Sequence, residues 1–176
     1  YFYDLNAKIN HRFSEKDEVY LSGYFGRDVF SFKSTDAGFG TDIPWGNAIA
    51  SLRWNHLFND QLFLNMNVSY TDYNFAFEGE QEEFAFGFNS GIEDWSYKST
   101  MNYYPNSRHE IKGGVEYVFH QFMPTDFFAR NGDTPIEFGV SEVTYSHESS
   151  AFIESDFEVN EFLKIYSGLR YSDFRH

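Results

Sequence analysis

Residues 62–71 read LFLNMNVSYT, in which Leu62, Leu64, Met66, Val68 and Tyr70 alternate with Asn65, Asn67, Ser69 and Thr71. A side-chain period of two belongs to an extended strand with one apolar and one polar face. The same pattern opens the chain, where Leu5, Ala7, Ile9, His11 and Phe13 alternate with Asp4, Asn6, Lys8, Asn10 and Arg12. It stops at a polar turn and resumes, and eight such strands can be placed between Phe2 and Tyr171. The reading is all-β: an antiparallel transmembrane β-barrel whose strands cross a bilayer with the apolar face toward lipid.

Composition supports that class over a soluble core. The 22 Phe, 13 Tyr and 3 Trp outnumber the 24 Leu, Ile and Val, as expected where aromatic girdles sit at both membrane interfaces. Mean hydropathy is -0.53 and the formal net charge is -14. No window approaches 18 consecutive apolar residues, which excludes a transmembrane helix but leaves spanning strands of about 9–11 residues. Without cysteine there is neither a disulfide framework nor a thiolate metal site.

The connections sort into two kinds. Short turns are expected at Ser14–Asp17, Asn59–Gln61, Pro105–Arg108 and Asn160–Glu161. Between them, Lys33–Trp45, Glu78–Glu83 and Phe122–His147 read as longer or more acidic loops. That alternation predicts periplasmic turns and extracellular loops. In the fifth strand the aromatics change phase, from Phe84, Phe86 and Phe88 to Trp95, Tyr97 and Tyr103, and Gly91 between them is expected to mark a bulge. Charge falls on the face opposite the apolar stripe, on Lys8, Arg12, Arg53, Lys98, Lys112 and Arg170. His11 and His56, on the stripe but beside short turns, read as girdle residues.

Two stretches carry a family likeness. NSGIEDWSYKSTMNYYPNSRHEIKGGVEY, Asn89–Tyr117, and SSAFIESDFEVNEFLKIYSGLRYSDF, Ser149–Phe174, resemble barrel segments of TonB-dependent outer-membrane receptors of the Bacteroidota. The resemblance implies a bacterial outer-membrane importer of a scarce or bulky nutrient of the siderophore, glycan, peptide or cobalamin class. It implies a barrel of 22 strands with a plug domain, a TonB-contacting segment and, in some members, a surface lipoprotein. Neither plug nor TonB-contacting segment is recognisable, so residues 1–176 are expected to be an internal piece of the barrel domain.

No chemistry-bearing motif appears. The six His show no HExxH or HxH spacing, and there is no Gly-rich phosphate loop and no GxSxG. The expectation is a non-enzyme without a cofactor, in contact with outer-membrane lipid and not with nucleic acid. Ligand or partner contacts are expected from the loops, at Trp45, Glu80, Glu82, Phe122, Phe127, Phe128 and Arg130. Exposed rings there offer stacking surfaces for a small molecule, glycan or peptide, and Glu78–Glu83 offers oxygen ligands for a cation. Two other architectures fit the alternation: a complete eight-stranded barrel with a structural or adhesive role, and a soluble β-sandwich binding module.

Overall fold

The computed structural model describes residues 1–36, 38–136, 138 and 141–176, which form a single antiparallel sheet with no helix among them. The strands are β1 (Phe2–Arg12), β2 (Asp17–Ser34), β3 (Phe39–Asn59), β4 (Leu62–Gln81), β5 (Phe84–Asn106), β6 (His109–Asn131), β7 (Thr134–Ile136), β8 (Thr144–Asn160) and β9 (Leu163–Arg175). Each long strand pairs with the next in sequence, β1-β2-β3-β4-β5-β6-β8-β9, while β7 folds back on the end of β6. The eight long strands are those expected from the alternation, and β7 is an additional short one inside the Phe122–His147 connection. The path is open: pairing joins β1 to β2 and β9 to β8, and none joins β1 to β9 among the described residues.

The sheet buries almost nothing on itself. Ala129 is the one buried apolar residue among the described residues. Leu5, Ile9, Leu169 and Tyr171 keep about two thirds or more of their surface exposed, at 68%, 67%, 78% and 70%. Among the described residues no second sheet covers the stripe, so the β-sandwich expectation is not met. A sheet that leaves its apolar face bare in this way is solvated by lipid instead of by a core.

Register fixes what shares a face. The rows Ile9–Leu21–Leu52–Val68–Tyr97–Tyr117 and Ala7–Gly23–Ala50–Tyr70–Trp95–Phe119 run across six strands on the apolar face. On the opposite face, Lys98 and Arg170 approach Glu116 at 3.6 and 3.4 Å. Lys112 lies 3.7 Å from Glu154, Lys164 lies 3.0 Å from Asp156, and Lys8 and Arg53 sit over the Tyr20 ring. All six cations expected on the polar face except Arg12 make one of these contacts. The face is the wet wall that a barrel turns to its lumen. Its pairs are partly exposed, so each contributes at most about 1 kcal/mol and less in salt.

Much of what reads as long loop is strand. β3 starts at Phe39, so most of Lys33–Trp45 is strand and Gly38, at φ 58°, takes part in a tight turn. Glu78–Gln81 belongs to β4, leaving Glu82 and Glu83 as a two-residue turn with Glu82 at φ 56°. β6 continues through Phe122–Phe128 to Asn131. The asymmetry read as loop length is an asymmetry of strand length. β4, with 20 residues, and β5 and β6, with 23 each, are about twice as long as a crossing needs, and the excess stands on the side opposite the short turns. Polar residues in that excess reflect a strand leaving the bilayer, which periodicity alone confuses with a loop.

At the short-turn end, Asp17 anchors the first hairpin just outside the span. His56 Nδ1 lies 2.7 Å from its carboxylate, and Ser14 Oγ and Trp54 Nε1 donate to it at 2.8 and 3.1 Å. His56 is therefore a girdle residue tied to a turn. These bonds, the one to His56 foremost, hold the Asp17 carboxyl below its ordinary value. A depressed carboxyl stabilises the fold above the ordinary carboxylate pKa and loses that contribution as pH falls through its own lower value. His56→Ala should move the Asp17 titration upward, read by carboxyl NMR in micelles; an unmoved titration would refute the assignment.

The two faces differ in what they tolerate. Leu52→Lys, on the lipid face, should cost about 2–4 kcal/mol of unfolding free energy in bilayers, whereas Asn10→Lys, on the lumen face, should cost under about 1 kcal/mol. Equal costs in urea titrations of the liposome-reconstituted protein would show that the faces are misassigned.

Candidate functional site

The apolar stripe ends within the sheet. On β4 it runs from Leu62 to Tyr70, and the next residues on the same face are Asp72, Asn74, Ala76, Glu78 and Glu80. On β5 it runs from Tyr103 back to Trp95 and continues as Glu93, Gly91 and Asn89. Tyr70 faces Trp95 across the pair, with ring centroids 4.9 Å apart, so both strands switch at one level. Beyond that level the aromatic residues stand on the other face: Tyr73, Phe75 and Phe77 on β4 and Phe84, Phe86 and Phe88 on β5.

This inversion replaces the bulge expected at Gly91. The β4–β5 register is continuous, with Asn74 opposite Gly91, so the change of phase moves the rings across the sheet. A bulge does lie beside Gly91, but its extra residue is on β6: Asn89 pairs with Asp126 and Gly91 with Met123. Pro124, which has no N–H for the ladder, falls in that interval. Ser90 Oγ donates to the Met123 carbonyl at 3.1 Å and Ser141 Oγ to the Thr125 carbonyl at 2.8 Å, so side chains satisfy backbone acceptors that the bulge displaces.

The rings on the lumen face form one connected patch. Phe77 lies 5.9 Å from Phe86 and from Phe88, Phe75 lies 5.9 Å from Phe88, and Phe88 lies 5.9 Å from Phe127. Phe84 and Phe138 extend it at either side. Trp45 joins the same face of β3, opposite Phe75. Offset and tilted ring pairs at these separations are favourable beyond the area they cover. Phe86 covers Gly79, where a Cβ would come 2.8 Å from the ring. Below the patch, Asp94 and His120 pair at 2.7 Å and mark where the charged lumen wall begins. Ser146 stands opposite His120 in register but is fully buried and its hydroxyl has no partner, so these three side chains make no nucleophile relay.

The structure divides the residues expected to contact ligand or partner. Trp45, Phe122 and Phe127 lie on the lumen face, and Phe127 is 55% exposed there. Phe122 sits lower on the wall, stacked on His120 at 5.6 Å. Glu80, Phe128 and Arg130 lie on the outer face beyond the stripe, Glu80 and Arg130 flanking Ala85 and Phe128 covering Gly87. Glu80 is 3.5 Å from Lys33, and Glu82 occupies the turn. No group of three His, Asp or Glu placed to hold a metal ion occurs among the described residues. The sequence reading missed Tyr73, Phe75, Phe77, Phe84, Phe86 and Phe88 as one surface. Their signal was the phase change itself, which appears on β4 between Tyr70 and Tyr73 as well as on β5.

No family model matches the sequence, and no curated protein does. Solved structures do. The unliganded ferric citrate transporter FecA aligns over 98% of this chain with a TM-score of 0.71 and 15% identity. The alcaligin outer-membrane receptor FauA from Bordetella pertussis aligns over 98% with a TM-score of 0.67 and 14% identity. The RagAB peptide importer in its open-open state aligns over 98% with a TM-score of 0.66 and 11% identity. The chain has the fold of an outer-membrane receptor barrel. It spans 29%, 28% and 27% of those three chains. At such low identity the likeness is one of strand geometry.

Gly79→Val in this barrel wall should lift Phe86 off its seat, cost about 1–3 kcal/mol as overpacking does and weaken the near-ultraviolet aromatic dichroism. Unchanged dichroism would mean that the rings are not locked together.

Proposed function

We propose that this chain is a wall segment of a TonB-dependent importer of the Bacteroidota kind, carrying a scarce or bulky nutrient across the outer membrane. The carrying observation is the inversion of the apolar face at the Tyr70–Trp95 level. Strands that continue well past the membrane and turn their aromatic side inward build a mouth on the lumen side. A barrel with only a structural role has no use for an aromatic inner wall above the bilayer.

The fold likeness to a ferric citrate transporter, a siderophore receptor and a peptide importer supports the same reading. In it the charged lumen wall, with Glu116 between Lys98 and Arg170, faces a plug domain contributed by another part of the protein. TonB acts through that part, and a surface lipoprotein is a further partner. The protein is a transporter and not an enzyme, and it holds no cofactor in this segment.

Three measurements test this. An antibody raised against residues 160–176 should detect, in native outer membranes, a heat-modifiable band far above 20.7 kDa, and deleting TonB should abolish energised uptake of the cargo. A heat-modifiable band at 20.7 kDa would establish the small barrel instead, and release by carbonate without detergent would exclude a membrane barrel altogether.

A further inference from the structure

We propose that the aromatic wall selects its ligand by lack of charge: the moiety that contacts it is neutral and presents an aromatic or branched aliphatic surface. The inference rests on the importer reading and names the substrate chemistry of that mouth. It stands on how charge is distributed over β2 to β6 beyond the Asp94–His120 level. On the lumen side of those strands Asp28, opposite Trp45, is the one charged side chain among the described residues. On the outer side, the same rows carry Arg27, Lys33, Asp42, Glu78, Glu80 and Arg130.

A chain with a net charge of -14 has therefore kept charge off this one surface and placed it on the opposite face of the same residues' strands. Solvation alone does not demand that. Above the bilayer both faces meet water unless the inner one is covered, and a wall that is merely wet would carry charge on both sides, as the lumen face does lower down. A carboxylate-rich or phosphorylated ligand needs Arg or Lys to replace its water, and this wall supplies neither. A cationic ligand would find only Asp28 and, next to it on β1, Asp4.

Hydrogen bonding narrows the class further. The patch is built mainly from Phe, which neither donates nor accepts. A glycan docked on Phe75, Phe77, Phe86, Phe88 and Phe127 would strip water from its hydroxyls and find few partners, a loss for each group left unpaired. An aromatic or aliphatic surface loses nothing of the kind and gains the apolar area that the exposed Phe127 and Trp45 hold out to it.

The test uses the full-length protein in lipid nanodiscs, with empty nanodiscs as the blank. Equilibrium dialysis compares radiolabelled N-acetyl-Phe-Phe-amide, N-acetyl-Glu-Glu-amide, N-acetyl-Lys-Lys-amide and maltotriose. Saturable binding is expected for the aromatic peptide alone, at least tenfold weaker in the Phe77→Ser/Phe88→Ser variant. In case that variant does not assemble, Asn47→Arg, on the same wall beside Trp45, should weaken the neutral peptide and admit the acidic one. Binding of a charged peptide or of maltotriose as tight as that of the aromatic peptide would overturn the proposal. So would absence of saturable aromatic binding, which is the result if other parts of the protein cover the wall, or failure of Asn47→Arg to change selectivity. TonB-dependent uptake without aromatic binding would sink this inference and leave the importer. Aromatic binding with TonB-independent uptake would do the reverse.

Discussion

In hydrocarbon a backbone N–H or C=O without a partner costs several kcal/mol, and this constraint governs the whole chain. The sheet meets it by pairing each long strand with its sequence neighbour, antiparallel, in registers continuous apart from a few bulges. Once the ladder is set, period-two alternation leaves each strand only the choice of which face goes to lipid, and a one-residue slip would turn every charge outward. The ion pairs around Glu116 and the ring pairs at the girdle refine that choice but do not make it.

Beyond the bilayer the constraint relaxes, and the same ladder serves another purpose. Strands of 20 or more residues carry their hydrogen bonds out of the membrane, so the wall of the mouth on β3 to β6 is rigid sheet. A rigid wall holds its side chains in place before anything binds, which lowers the ordering cost of recognition. The bulge at Pro124 re-aims the end of β6, putting Phe127 among the rings of β5 and Phe128 on the outer face. One added residue thus decides which of two adjacent phenylalanines lines the lumen.

Much of this was legible in advance. The alternation at Leu62–Tyr70 begins at the first residue of β4, and Ser14–Asp17 and Asn59–Gln61 marked real turns. The errors fall where strands leave the membrane. Lys33–Trp45 and Glu78–Glu83 were expected to be loops because Gly, Asp and Glu ordinarily punctuate structure, yet on a strand whose outer face is in water such residues are compatible with the ladder. Glu80 and Arg130 were grouped with Trp45 and Phe127 for their common nearness to the mouth. Register separates them, since residues at one height on opposite sides of a sheet point away from each other.

The sequence by itself determined the fold class, the crossing strands and the division of charge from apolar surface, because those follow from a local period of two. It also held the face inversion, as a phase change visible on two strands. Only the tertiary structure decided what that phase change meant. A bulge and a true inversion look alike along one strand, and they are told apart by whether the neighbouring strand stays in register. Pairing between residues such as Asn74 and Gly91, or Phe88 and Phe127, is non-local, and it alone turns scattered phenylalanines into one wall.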